Sequence, residues 1–212
     1  MAVSSRLPVN WRRSFYGVWQ PFRARDERLA AATALALFGA QVPVDPLLEA
    51  LRQPDRQLAS RVAAALGGCG AAAVPGLTAA LRDPDPEIRR LACYALSQIR
   101  RPAAPAAAEL ARLLSDSDLQ LMASAAHALT TIGPAAIPHF IQALDDPEPR
   151  VREKAAFSLS QFRSSASNAV PALERLVDDE DAEVRWHADL ALRAIVPRRF
   201  EEFGARHPSP EF

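Results

Sequence analysis

The sequence predicts an all-α solenoid of about six stacked helical pairs, and three observations carry that expectation. An Ala-Leu or Ser-Leu dipeptide recurs at Ala34-Leu35, Ala65-Leu66, Ala95-Leu96, Ala128-Leu129, Ser158-Leu159 and Ala191-Leu192, in steps of 31, 30, 33, 30 and 33 residues. A sustained period of this length marks a repeat array. Around each dipeptide the apolar residues fall at helical spacing, as in Ile88, Ala92, Ala95, Leu96 and Ile99. The chain is also 49% hydrophobic, with alanine the largest contributor and only two Tyr and three Trp. Such small side chains suit closely packed helices better than a sheet core.

Taken in order, residues 1–22 read as a capping segment. Asn10–Trp19 would form the outer helix of the first pair, with Trp11, Phe15 and Trp19 inward. End repeats need a different outer face from internal ones. The array proper is expected over 23–196, with units near 23–53, 54–83, 84–116, 117–146, 147–179 and 180–196. Residues 197–212, with three prolines and several charges, read as a flexible tail whose final Glu-Phe could be foreign to the protein.

Each unit holds a long helix with start and stop signals. The clearest copies are Asp83-Pro-Asp-Pro-Glu-Ile-Arg-Arg-Leu-Ala-Cys-Tyr-Ala-Leu-Ser-Gln-Ile99 and Asp146-Pro-Glu-Pro-Arg-Val-Arg-Glu-Lys-Ala-Ala-Phe-Ser-Leu-Ser-Gln-Phe162. The opening Asp-Pro is expected to cap the helix and preset its first turn. Gly39, Gly70 and Gly133 are expected to close it in the left-handed αL conformation. Arg100 and Arg163 close the other copies and lead into loops three residues longer, which accounts for the alternation of 30 and 33. A shorter helix follows, clearest at Val74–Leu81, Ile137–Leu144 and Val170–Val177, with proline in its first turn where the N–H lacks a helical acceptor. Two helices this short cannot bury their apolar faces alone, so each unit leans on its neighbours.

The recurring Asp-Pro-x-x-Val-Arg-x-x-Ala-Ala-x-Ala-Leu-x-x-Ile-Gly, followed by Ala-Val-Pro-x-Leu-x-x-Ala-Leu, resembles HEAT repeats of the phycobilisome-lyase-like type over roughly residues 11–196. The resemblance implies a right-handed α-α superhelix. It also implies that an Asp between helices and an Arg early in the long helix tie neighbouring units. Asp83, Asp146 and Asp179 match the Asp; Arg28, Arg89, Arg152 and Arg185 match the Arg. Ala59 and Met122 interrupt the Arg series, which puts the array's local stability there in question.

The resemblance further implies that the Val-Arg helices line a concave surface. In that register the position after Ala-Ala is Thr33, Ala64, Tyr94, His127, Phe157 and Leu190. The pair after Val-Arg is Leu29-Ala30, Ser60-Arg61, Arg90-Leu91, Ala123-Ser124, Glu153-Lys154 and Trp186-His187. Exposed aromatic rows mark interfaces, and Tyr, Trp and Arg dominate binding hot spots. The expected partner-binding residues are therefore Tyr94, His127, Phe157, Glu153, Lys154, Trp186, His187, Arg61 and Arg90, holding a protein or peptide. The competing reading buries these rings as core.

Arg25, Arg56, Arg61 and Arg90 form a smaller basic patch, whose expected role is at most a secondary nucleic-acid or phosphate contact. Formal net charge is zero, so no global field favours polyanions or anionic membranes. Charge is uneven, however, with six Arg against Asp26 and Glu27 in residues 1–28, and fourteen acids against ten bases in 145–212.

No cofactor or metal is expected. His127, His139, His187 and His207 are followed by Ala, Phe, Ala and Pro, whereas the iron-binding deoxyhypusine-hydroxylase branch of HEAT-like proteins uses His-Glu pairs. Cys69 and Cys93 take positions that hold Ile or Ala in other copies and read as core. No Gly-rich phosphate loop is present. A non-catalytic scaffold is the expected function; a bilin-lyase-like chromophore–protein chaperone is the enzyme-like alternative the resemblance supplies. No apolar run approaches the ~20 residues that cross a bilayer, and no secretory apolar segment opens the chain, so the cytoplasm is expected.

Overall fold

The computed structural model describes residues 44–197, which fold into an all-α solenoid of five helical pairs. A short helix alternates with a long one: α1 (Val44–Leu51) and α2 (Arg56–Gly68), α3 (Val74–Ala80) and α4 (Pro86–Ile99), α5 (Ala107–Arg112) and α6 (Leu119–Ile132), α7 (Ile137–Ala143) and α8 (Pro149–Phe162), α9 (Val170–Leu176) and α10 (Ala182–Ile195). The expected capping segment 1–22, with Trp11, Phe15 and Trp19, lies outside the described residues, as do Arg25, Arg28, Thr33, Gly39 and residues 198–212.

The core repeats with the sequence. Leu47, Leu77, Leu110, Phe140 and Leu173 occupy one position of the short helices and are all buried. Leu66, Leu96, Leu129, Leu159 and Leu192 do the same in the long helices. Each long helix stacks on the next through small side chains one turn apart. Ala63, Cys93, Ala126 and Ala156 are buried at one position, and Gly67, Ser97, Thr130 and Ser160 stand four residues later on the same face. The closeness is visible at Gly67, where a Cβ would come within 2.7 Å of the Gln98 Cβ on α4. In α10 the same two positions hold Asp189 and Arg193, ion-paired to each other at 2.8 Å and partly exposed.

The helix starts differ from expectation by two residues. The caps are Asp55, Asp85, Asp118 and Asp181, whose side chains accept amide hydrogens from the first turn of α2, α4, α6 and α10. The first Asp of the Asp-Pro motif instead accepts the amide two residues on, Asp83 from Asp85 and Asp146 from Glu148. That turn leaves the chain extended at the cap position. Glu148 occupies the cap of α8 without a side-chain cap bond, its extra methylene placing the carboxylate outside the short reach that Asp has.

Of the expected glycine closures, Gly70 has positive φ at 62° after the cap of α2, whereas Gly133 departs from expectation. Gly133 has φ 97° and ψ −152°, outside αL, and Arg100 (64°, −133°) and Arg163 (51°, −139°) adopt nearly the same conformation. The geometry of the turn, not the residue, fixes positive φ here; glycine is simply the residue that adopts it without strain. The three extra residues of the long spacings are found directly after these arginines, in the 3₁₀ segments 101–106 and 163–169, against 134–136 after Gly133.

A ladder ties neighbouring units through the loops between short and long helices. Arg152 donates from Nε and Nη2 to both carboxylate oxygens of Asp179, at 2.9 and 2.8 Å, and from Nη1 to the carbonyls of Asp146 and Pro147. Arg89 makes the equivalent reach, to the Asp83 and Pro84 carbonyls and to Asp116, a rung the motif match overlooked because its loop lacks the Asp-Pro. Where Ala59 and Met122 interrupt the series, substitutes come from one equivalent position. Arg52 donates to Asp83 at 3.1 Å, and Ser115 donates to Asp146 at 2.8 Å. The expected breaks are therefore bridged.

Candidate partner-binding groove

The residues that flank the buried Val-Arg and Ala-Leu positions share one face of each long helix, and these faces in register form the candidate groove. Tyr94 on α4, Phe157 on α8 and Trp186 on α10 are exposed, at 45%, 40% and 49%. His127 on α6 is also exposed. These four rings stand at the surface rather than inside the core. Within the stripe Leu91 is in the core, while Arg90, Glu153, Lys154, His187 and Leu190 are among those half-buried.

The groove has two different stretches. Toward its N-terminal side a concavity of about 670 Å³ is lined by Ser60, Glu87, Arg90, Tyr94, Ser124 and His127, among others. Its hydroxyls are already committed: Ser60 donates to the Arg56 carbonyl, Ser124 to that of Gln120 and Ser97 to that of Tyr94. Such back-bonding leaves their oxygens able only to accept. Arg90 pairs with Glu87 one turn back and donates to Gln120 Oε1 on α6 at 3.0 Å. Its guanidinium acts as a strut between repeats, so the expected basic patch of Arg56, Arg61 and Arg90 is not three independent cations. Arg56 and Arg61 are exposed on α2.

The C-terminal stretch is aromatic. The His187 ring stands edge-on to Phe157, with centroids 5.7 Å apart, and edge-on to Trp186, 4.6 Å apart. His187 Nδ1 lies 2.9 Å from the Glu183 carbonyl, the i−4 acceptor of its own helix, and 3.9 Å from Glu153 Oε1 across on α8. The ring is thus held between two helices with its side chain 12% exposed, while its two aromatic neighbours remain open to solvent. Lys154 Nζ sits over the Phe157 ring, 5.6 Å from its centroid. Edge-to-face and cation–π contacts fix ring orientation without covering the outer ring face.

Sequence reasoning missed the two struts that shape this surface, Gln120 opposite Arg90 and Asp116 opposite Arg89; both lie in the third described unit, whose loop departs most from the motif. Neither cysteine offers chemistry to the groove. Both are free and buried, burial raises the Cys69 thiol above its ordinary value, and burial pushes Cys93 up to about 12. Among the described residues no cluster of His, Cys, Asp and Glu could hold a metal ion, and no helix is long and apolar enough to cross a membrane.

The profile of a repeat family described as HEAT repeats matches residues 44–130, 74–160 and 137–199. No curated protein matches the chain. Among solved structures, an engineered protein is similar at 22% identity and a TM-score of 0.49, over 81% of this chain and 91% of that one. A designed armadillo repeat protein in complex with the peptide (KR)4 is similar at 19% identity and a TM-score of 0.48, over 82% of this chain and 96% of that one. Computationally designed armadillo repeat proteins for modular peptide recognition are similar at 20% identity and 0.45, over 81% and 94%.

Proposed function

The chain belongs to the HEAT-repeat family, and on that premise we propose that it is a non-catalytic scaffold holding a protein or peptide along the groove of its long helices. One observation carries the reading. Of the four large hydrophobic side chains exposed among the described residues, Tyr94, Phe157 and Trp186 fall in the groove register and only Leu119 lies elsewhere. Rings left wet in a row cost free energy that a partner can recover, and preformed helices limit the ordering cost of recovering it. The aromatic stretch is the anchor, with Tyr94, His127 and Arg90 extending the contact along α4 and α6, and Arg61 at the far side.

The test is the double substitution Phe157→Ala and Trp186→Ala in the full chain, read by affinity capture and by thermal unfolding. We expect loss of captured partner, of the order of 30-fold or more for two hot-spot rings, at an unchanged melting temperature. Capture unaffected by the substitution would remove the groove reading. A fall in melting temperature would show that the rings support the fold instead.

The units proposed for the array, near 23–53, 54–83, 84–116, 117–146, 147–179 and 180–196, would each contribute one long helix to this surface. A cytoplasmic setting fits two free, buried thiols. The bilin-lyase-like role is a finer form of the family reading and rests on the repeat pattern alone. Incubation with a bilin, and a search for a shifted visible absorption band, addresses it directly.

A further inference from the structure

Charge in the groove deepens the scaffold reading, on which this inference rests. Most groove carboxylates already have neighbours of opposite charge. Glu87 is taken by Arg90, and Glu153 faces His187 at 3.9 Å. Arg90 is spent on Glu87 and Gln120. Arg150, at the edge, lies 4.0 Å from Glu148. Glu183 stands exposed at the edge, one turn before Trp186. Lys154 differs from all of these. It is half-buried, its ammonium rests on the Phe157 ring, and no carboxylate of a described residue pairs with it.

Lys154 is also the only lysine among the 25 Lys and Arg of the chain. Lysine differs from arginine in presenting a compact ammonium with three freely rotating donors, suited to a single anionic oxygen rather than a planar fork. A partly desolvated cation whose only counterpart is a ring face gains most from an incoming anion. Phe157 lies beneath it, and Phe157 with Trp186, joined to it through the His187 ring, would take an apolar side chain.

We propose that the partner is a peptide segment carrying an acidic residue next to an aromatic or large aliphatic one, with its carboxylate on Lys154 Nζ and its apolar neighbour against Phe157 and Trp186. Basic segments would bring like charge to Lys154 and are disfavoured.

A randomised peptide library displayed against the full chain tests this, with Lys154→Gln selected in parallel. The wild type should enrich Asp or Glu beside Trp, Phe or Leu. Lys154→Gln should keep the apolar preference and lose the acidic one, and an individual selected peptide should bind it roughly tenfold more weakly. Binders without acidic enrichment, or acidic enrichment unchanged by Lys154→Gln, would overturn the assignment of Lys154 while leaving the groove intact. Binders insensitive to Phe157→Ala/Trp186→Ala, or none at all, would sink the groove reading together with it. Reductive ¹³C-methylation gives an independent readout, because Lys154 is the sole side-chain amine. Its methyl resonance should shift when a selected acidic peptide is added and stay put with the Asp→Asn or Glu→Gln version of that peptide.

Discussion

The α4–α6 and α8–α10 pairs are built from the same unit, yet they differ both in the rung beneath and in the groove above. Under α8–α10, Arg152 meets Asp179 bidentately, and both side chains are nearly excluded from solvent, at 9% and 6%. Under α4–α6, Arg89 reaches Asp116 through one nitrogen at 3.4 Å, and its buried Nε has no partner. The groove follows the same division. The tight rung ties the two units whose long helices carry the aromatic cluster; the loose one ties the two that carry Tyr94 and His127 in the concavity. A rung that fixes the loop entering α10 also fixes where Trp186 and His187 stand relative to Phe157. The comparison suggests that the ladder serves the surface as well as the stability of the stack.

The strongest way to break this contrast is to remove the two arginines separately. Arg152→Ala leaves the Asp179 carboxylate buried and uncompensated, and should cost about 3–5 kcal/mol. Arg89→Ala removes a weaker contact and relieves an unsatisfied group, so about 1–2 kcal/mol is expected. Urea unfolding midpoints measure both, and equal losses would erase the distinction between the rungs.

Acidification reaches the tight rung, and the Asp179→Asn comparison separates it from Glu109, which the Arg82 hydrogen bond also holds low. Burial raises the Asp179 carboxyl, but hydrogen bonds from Arg152 and the Asp181 amide, with the charges of Arg152 and Arg185, outweigh it and hold the group below its usual value. A carboxylate depressed in the folded state adds stability above its unfolded pKa of about 3.9 and loses it as pH falls through the folded value. Wild-type stability should therefore decline below about pH 4, and Asp179→Asn, already weaker at neutral pH, should decline less steeply.

Smaller changes sharpen the picture of the loops. Arg163→Gly and Arg100→Gly should each stabilise by about 1 kcal/mol, since an exposed arginine is held there at positive φ. Glu148→Asp should add about 0.5–1 kcal/mol by supplying the missing cap of α8. Thermal unfolding at fixed pH reads all three.

Much of this was legible in the sequence because packing repeats with it. The buried Leu at 66, 96, 129, 159 and 192 and the exposure of positions 94, 127 and 157 needed only the register. The caps were misplaced because two Asp residues stand two apart in one motif, and either could bond the first turn; only backbone geometry decides between them. Arg52 and Ser115 were invisible as substitutes because their chemistry differs while their position is shared. The state of Lys154 depends on which carboxylates its neighbours have already engaged, and spacing carries no record of that.

The Asp189–Arg193 pair on α10 carries one more consequence. Where the earlier described long helices hold Ala, Cys, Gly, Ser or Thr at these two positions, this one holds a partly exposed ion pair that a helix packed against it would have to desolvate. Asp189 and Arg193 thus make α10 the one described long helix that does not fit the inside of the stack unchanged, since a neighbour packed there needs small side chains at both positions.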